Sequence, residues 1–198
     1  MIIIKLLNSD LFLILKKEGV QIMHKKIIKS LLLVIPLFLI STQAFAYILY
    51  SGGYNSYVIK FQNSNLNSYY SSALADAVSS WNGTATKAAI SEDSTSANLV
   101  YGGNWATTWY GQYSGSSHNS SGQATQFDIR INAERIFQDV VNGITIVYTP
   151  RSTFTHEFGH ALHLDDLSSG SAVMNTNRTR ETIYNPLYDD INGVNAYW

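Results

Sequence analysis

The chain has 198 residues, with 13 Lys and Arg, 14 Asp and Glu, and no cysteine, which is the size of one domain. The lack of cysteine excludes disulfides, cysteine-ligated zinc sites, a thiol nucleophile and a lipid-modified cysteine anchor. From Tyr47 onward there are 7 basic and 12 acidic residues. The clustered positive charge that a nucleic-acid surface needs is therefore missing, and no nucleic-acid partner is expected.

The first 46 residues have the pattern of a targeting segment. A basic start from Met23 precedes an apolar run over 31–40, and an Ala-Phe-Ala cleavage site ends at Ala46. The apolar run is shorter than the ~20 residues that a bilayer-spanning helix needs. We therefore expect a signal peptide over residues 23–46, no stable membrane anchor after its removal, and a secreted, extracellular protein. Residues 1–22 are interpreted as an extension that precedes the true start.

We predict that the exported protein begins at Tyr47, because cleavage at a site of this kind follows the second alanine. N-terminal sequencing of secreted material checks this directly. A first residue upstream of position 40 in exported protein would contradict the prediction. Residues 47–198 number about 150, enough to bury a core without disulfides, and we expect them to form one monomeric domain.

Hydrophobic periodicity predicts the elements of this domain in chain order. Residues 57–61 alternate as in a strand, and residues 68–81 carry apolar side chains at helical spacing that ends at Gly83. Residues 111–122 are rich in serine and glycine and predict a mobile surface loop. The other predicted elements are strands at 97–101, 127–132 and 144–148, and helices at 153–164 and 187–198. The predicted fold class is therefore α/β of the α+β type, a twisted mixed β-sheet with helices packed on it.

The residues His-Glu-Phe-Gly-His at 156–160 have the pattern H-E-x-x-H and lie on a predicted helix. His156 and His160 are four residues apart, so both imidazoles project from one helix face and can reach one Zn²⁺. Glu157 lies beside them and can accept a proton from a water whose pKa the metal lowers. The pattern predicts one catalytic zinc ion, and a structural Ca²⁺ is not indicated.

A catalytic zinc site needs a third protein ligand, and three residues are candidates. His163 lies on the same helical face, but ~10 Å from His156 along a straight helix. Asp166 lies six residues past His160 and requires the chain to turn back after the helix. Glu181 would come from a later segment, as in the thermolysin-like arrangement. The ~10 Å between His156 and His163 is too long for all three histidines to converge on one ion, so spacing argues against His163 and leaves Asp166 and Glu181 open.

The segment 156–166, His-Glu-Phe-Gly-His-Ala-Leu-His-Leu-Asp-Asp, resembles the metzincin pattern H-E-x-x-H-x-x-G-x-x-H. Eight residues further on, Met174 ends a segment similar to the family's Met-turn. Residues 180–182 and 187–194 resemble the C-terminal segment of matrixins, the matrix-metalloproteinase family. The resemblance is strong over residues 150–198 and faint before them. It implies that residues 47–198 have a metzincin-like fold with an active-site helix and a C-terminal helix.

The same resemblance implies a role for each matching residue. His156, His160 and Asp166 become the zinc ligands, Glu157 becomes the general base, and Met174 becomes the floor of the site. The implied activity is that of a secreted zinc-dependent endopeptidase, which hydrolyses peptide bonds of a protein or peptide substrate with a zinc-activated water. The acidic pair at 189–190 is implied to brace the mature N-terminus and the Met-turn, and Glu181 becomes structural.

The sequence departs from the family pattern at three places. His163 stands where the family has its turn glycine, so we expect a left-handed conformation there, which histidine adopts more often than most residues. Asp166 stands where a histidine is usual, and residues 175–178 replace a proline and a tyrosine that line the specificity pocket. Because of these departures, the alternative function is a catalytically impaired secreted module that binds zinc or mediates adhesion.

Overall fold

The computed structural model of the protein describes residues 47–144 and 146–198, which lie within one unit, Phe45–Trp198. The signal peptide predicted at 23–46 and the extension at 1–22 lie outside the described residues. Within the described ranges, no helix has both the length and the apolar character needed to cross a bilayer.

Five strands and four helices form the described part of this unit. The strands are β1 (Val58–Ser64), β2 (Ala89–Glu92), β3 (Leu99–Gly103), β4 (Gly111–His118) and β5 (Ala124–Asn132). The helices are α1 (Ser68–Asn82), α2 (Ala133–Val141), α3 (Thr149–Ala161) and α4 (Tyr188–Tyr197). The predicted helix at 68–81 is confirmed as α1, which the side chain of Asn67 caps by accepting a hydrogen bond from the Tyr70 amide at 3.1 Å.

The strands form one mixed sheet in the order β2-β1-β3-β5-β4. The pairs β1–β2, β1–β3 and β3–β5 are parallel, whereas β4 pairs with β5 in the antiparallel direction. The parallel pair β1–β2 is joined by the crossover helix α1, as parallel neighbours require. The mixed sheet with helices confirms the coarse fold class, and it leaves β4 as an edge strand.

The core lies between the sheet and two helices. In β1, Ile59 and Phe61 are buried while Val58 and Lys60 are exposed, which is the two-residue alternation of a strand with one buried face. Trp81 of α1 is fully buried and donates its indole N–H to the Thr155 carbonyl of α3 at 2.8 Å. Further fully buried side chains are Val100, Phe127, Ile129, Ile131, Phe154 and Phe158. Helix α3 is therefore held firmly against α1 and the sheet.

The prediction of a mobile loop at 111–122 is wrong, because Gly111–His118 is strand β4. Its serines and glycines carry no hydrophobic signal, and the strand forms through its backbone pairing with β5. Gly115 permits β4 to approach β5 closely at Ala124, because a Cβ at position 115 would lie only 2.8 Å from the Cβ of Ala124. Tyr113 supplies the apolar contact, with its ring centroid 5.5 Å from that of Phe127.

The prediction of a strand at 144–148 is also wrong. Ile144 and Val147 are exposed and belong to no strand, and Tyr148 is the N-cap of α3. Helix α3 begins at Thr149, four residues before the predicted start, with Pro150 in its first turn, where proline is tolerated. The apolar residues that precede this helix therefore have the same sequence pattern as a strand.

Candidate metal centre

The end of α3 is followed by a tight turn at His163. This residue has φ 71°, so the expected left-handed conformation is confirmed. Its Nδ1 lies 2.9 Å from the Tyr50 carbonyl oxygen and its Nε2 lies 2.7 Å from the Tyr54 carbonyl oxygen. The ring is also stacked on Tyr197 at 3.6 Å between centroids. The side chain of His163 therefore contacts the N-terminal segment of the domain at Tyr50 and Tyr54, and its left-handed backbone forms the turn.

The N-terminal segment runs beside this turn and fixes its backbone. The Tyr50 amide donates to the His163 carbonyl at 2.8 Å, and the Asp165 amide donates to the Ile48 carbonyl at 2.8 Å. These two hydrogen bonds set the path of the chain immediately before Asp166. A segment more than a hundred residues away in sequence therefore positions this carboxylate.

The turn brings Asp166 to the two histidines of α3. Asp166 Oδ1 lies 3.0 Å from Nε2 of His156 and 3.6 Å from Nε2 of His160. One ligand atom from each of the three side chains lies within 4.8 Å of the others. In the described ranges no other three His, Cys, Asp or Glu side chains converge in this way.

The hydrogen bonds of the two imidazoles determine which nitrogen faces Asp166. Nδ1 of His156 lies 2.9 Å from the Val173 carbonyl oxygen, and Nδ1 of His160 lies 2.8 Å from the Leu164 carbonyl oxygen. A carbonyl only accepts, so for a metal-bound site we assign the proton of each neutral ring to Nδ1 and a lone pair to each Nε2. At His156 the donor Nη1 of Arg178 competes for the same Nδ1, at 3.2 Å. Burial, and then the positive charge of Arg178, lowers the pKa of His156 and favours this neutral form.

The resulting donor set fits a zinc ion. Two imidazole lone pairs and one carboxylate oxygen point toward a common position, where they would repel one another unless a cation or a proton lies between them. Imidazole nitrogen and carboxylate oxygen are ordinary zinc ligands, and the N–H···O=C bonds behind the rings are typical of metal-binding histidines. His156, His160 and Asp166 could therefore hold one ion.

Glu157 lies beside this group and faces a cavity of about 340 Å³, which is also lined by His156 and Asp166. The side chain is buried, with 4% of the residue exposed. Across the described ranges, no group donates a hydrogen bond to its carboxylate. Gly111 at the start of β4 approaches it closely: a Cβ there would lie 2.8 Å from Glu157 Oε1.

Met174 lies under α3. It is 2% exposed, and a Cβ added to Gly159 would overlap its sulfur atom. The carboxylate of Asp190 in α4 accepts hydrogen bonds from the Val173 amide at 2.8 Å and the Met174 amide at 3.2 Å. Because the Val173 carbonyl contacts His156, α4 supports the orientation of this histidine through the turn.

The predicted brace between the acidic pair and the N-terminal segment is seen in part. Asp190 is 1% exposed and braces the turn at Met174. Tyr47 packs near the same helix, since a Cβ added to Gly193 would lie 3.0 Å from the Cβ of Tyr47. Asp189 is half-buried.

Glu181 lies at the opposite end of α3 and caps it. Its Oε1 accepts hydrogen bonds from the Tyr148 amide at 3.0 Å, the Thr149 amide at 2.9 Å and the Thr149 hydroxyl at 2.9 Å. A carboxylate there also complements the positive end of the helix dipole. Of the three candidates for a third ligand, the structure brings Asp166 to the histidines and gives Glu181 and His163 other partners.

Two arginines of the cavity were missed at the sequence level. Arg178 is 6% exposed, and its Nη1 lies 3.2 Å from Nδ1 of His156. It donates to neutral acceptors, the Ser152 hydroxyl at 2.9 Å, the Ser152 carbonyl at 3.0 Å and the Asn175 carbonyl at 3.1 Å. Arg180 lines the same cavity. The sequence signals were the departure of residues 175–178 from the matrixin pattern and the resemblance of residues 180–182 to the matrixin C-terminal segment, and neither assigned a role to an arginine.

The chain matches no protein-family model and no curated protein. Among solved structures, it is similar to a chain of the GM1-bound form of the ECX AB5 holotoxin, with a TM-score of 0.51 and 15% sequence identity. The similarity covers 76% of this chain and 87% of that chain. At this identity it supports the overall fold alone.

Proposed function

We propose that this protein is a secreted zinc-dependent endopeptidase of the metzincin type. The observation that carries the proposal is the convergence of His156 Nε2, His160 Nε2 and Asp166 Oδ1 beside the carboxylate of Glu157. The left-handed turn at His163 and the packing of Met174 beneath α3 are further points of agreement with the family resemblance.

His156, His160 and Asp166 would hold the zinc ion in this function. When bound, the ion would supply Lewis-acid chemistry to the substrate carbonyl and to water. Glu157 would accept a proton from the attacking water and return it to the leaving amine. Its position favours this role, because the carboxylate faces the cavity and has no hydrogen-bond donor of the described chain to compete for its oxygens.

Strand β4 would bind the substrate backbone. It lies at the edge of the sheet and pairs with β5 on one side only. An extended peptide can add to such an edge through main-chain hydrogen bonds. Because Gly111 at the start of β4 is next to Glu157, a peptide bound along this strand passes the general base.

The position of Glu157 argues against the alternative of a zinc-binding or adhesive module without catalysis. Its carboxylate lines the cavity beside the candidate ligands, and no residue of the described ranges donates a hydrogen bond to it. A module that only holds zinc has no use for this group, whereas a peptidase needs a base at this position.

Cleavage of casein by the purified protein tests the proposed function. We expect new peptide amino termini to form, cleavage to stop after treatment with a zinc chelator, and activity to return when zinc is added. Cleavage that persists after complete metal removal would contradict the proposal, and so would an inert protein that carries one zinc ion per chain.

We predict that Gly111→Ala lowers peptide cleavage while zinc content is unchanged. The new methyl group would lie 2.5 Å from Thr153 Cγ2 and 2.8 Å from Glu157 Oε1, so the carboxylate must move. A displacement of ~1 Å in a catalytic group can lower kcat by ~10²-fold. Ser116→Ala, at an exposed position of the same strand, should retain normal kcat. Equal kcat in both variants would refute the prediction.

A further inference from the structure

The cavity beside the candidate metal centre contains two arginines with no acidic partner. Arg178 and Arg180 line it together with Glu157 and Asp166. We propose that this cavity binds a carboxylate group of the peptide substrate close to the scissile bond. The inference rests on the proposed peptidase function, and it adds a preference for anionic substrates.

Arg180 has free hydrogen-bonding capacity. Its guanidinium carbon lies over the Tyr110 ring, 3.9 Å from the centroid, and the residue is half-buried. It makes no hydrogen bond or ion pair with any residue in the described ranges, and its Nε is buried without a partner. The guanidinium donors are therefore not used within the described chain, and a guanidinium can bind a carboxylate through two parallel hydrogen bonds.

The acidic group next to this stack already has other partners. Asp139 forms an ion pair with Arg135 at 2.9 Å and accepts a hydrogen bond from the Tyr110 hydroxyl at 2.6 Å. Asp139 is therefore paired with Arg135 and Tyr110, and it forms no ion pair with Arg180.

Arg178 adds a second positive charge at the base of the cavity. All its hydrogen-bond acceptors are neutral, and none of the described carboxylates lies within ion-pair distance. Arg178 therefore adds positive charge to the cavity lining without forming an ion pair.

The charge balance of the cavity determines when this anion binds. Two guanidinium groups oppose the carboxylates of Glu157 and Asp166, so the lining is neutral without a metal. A bound zinc ion would leave an excess of two positive charges. We therefore expect carboxylate binding to be strongest in zinc-loaded protein, where the substrate is also held by the metal centre.

Two parts of a peptide can supply the carboxylate. One is the side chain of Asp or Glu beside the scissile bond, and the other is the free C-terminus of a peptide that ends shortly after it. Both would present the same planar anion to Arg180. The cavity volume of about 340 Å³ is sufficient for a side chain of this size.

Three peptides built around a bond that the protein cleaves in casein test the inference. The first carries Glu beside the bond and a C-terminal amide, the second carries Gln and the amide, and the third carries Gln and a free C-terminus one residue past the bond. We expect the first or the third to exceed the second in kcat/KM by ~10-fold, the effect of one charge-assisted hydrogen bond. The peptide that shows the gain identifies the source of the carboxylate.

Arg180→Gln should abolish this ~10-fold gain, whereas Arg130→Gln should retain it. Arg130 is the matched control, because it is a half-buried arginine of β5 outside the cavity lining. Binding is measured separately by calorimetry with zinc-loaded Glu157→Gln protein. The preferred peptide should bind ~10-fold more tightly than the Gln amide, and a further Arg180→Gln substitution should remove the difference.

The outcomes separate this inference from the proposed function. Equal kcat/KM and equal affinity for all three peptides would overturn the carboxylate cavity while leaving the peptidase intact. A gain that survives Arg180→Gln would also overturn it. Failure to cleave casein would refute the proposed function, and calorimetry with a Glu peptide and a Gln peptide of otherwise equal sequence would still decide whether the cavity selects a carboxylate.

Discussion

Asp166→Ala should remove zinc from the protein and with it all peptide cleavage. Asp166 Oδ1 is the atom that completes the group with the two histidine Nε2 atoms, so the variant keeps only two ligands. Substitution of a residue that merely orients a ligand lowers metal affinity by ~10–100-fold, and loss of a ligand should exceed that. Competition with a chelator of known zinc affinity measures the change.

Asp165→Asn is the matched control for this variant. Asp165 is the adjacent carboxylate, and its Oδ1 accepts the Asp166 amide at 2.8 Å, which an asparagine oxygen can also do. Zinc affinity should remain normal in this control. Retention of zinc in Asp166→Ala together with its loss in His163→Ala or Glu181→Ala would show that the ligand assignment is wrong, provided that both latter variants melt as folded proteins.

Glu157→Gln should abolish peptide cleavage and leave the zinc content unchanged. Glutamine keeps the size of the side chain but cannot accept a proton at neutral pH, and loss of a general base typically lowers kcat by ~10²–10⁴-fold. Thermal unfolding shows whether the variant is folded, because glutamine has the size of the original side chain and the carboxylate accepts no hydrogen bond from the described residues. Casein cleavage, zinc content and thermal unfolding are measured on one preparation.

The control for the general base is Glu92→Gln, at an exposed position in β2. It should match the unmodified protein in all three measurements. If Glu157→Gln cleaves casein at more than half of the normal rate, Glu157 is not the base. If it loses zinc as well as activity, the residue acts in metal binding, and the catalytic role assigned here is wrong.

The helical part of the site could be predicted from the sequence because its geometry is local. His156, Glu157 and His160 lie on one helix, so their spacing alone brings them together. Spacing along a straight helix argued against His163, but it could not separate Asp166 from Glu181. The position of Asp166 depends on a left-handed turn that hydrogen bonds from distant residues hold in place.

Strands with alternating apolar residues could be predicted from the sequence. A strand that forms through backbone hydrogen bonds to its neighbour, without an apolar pattern of its own, could not. The prediction found β1, β3 and β5 within a few residues of their ends. It missed β4, since Gly111–His118 has few apolar side chains and pairs with β5 through its backbone. It also missed β2, which is four residues long, and α2, which follows β5 directly from the cap residue Asn132.

The arginines of the cavity could not be predicted because their surroundings are non-local. Arg178 contacts Ser152 and His156 of α3, and Arg180 stacks on Tyr110 near the start of β4. Neither contact follows from neighbouring sequence. The presence of both arginines in the cavity therefore depends on the path of the chain after Met174, which brings this segment back to the edge of the sheet.

Titration of zinc into metal-free protein, with peptide cleavage followed at each addition, tests the zinc-dependent peptidase most directly. The convergence of His156, His160 and Asp166 on one position predicts that activity rises in proportion to added zinc and reaches its maximum at one equivalent per chain. Activity that is already complete without zinc, or that stays absent when one equivalent has bound, would contradict it.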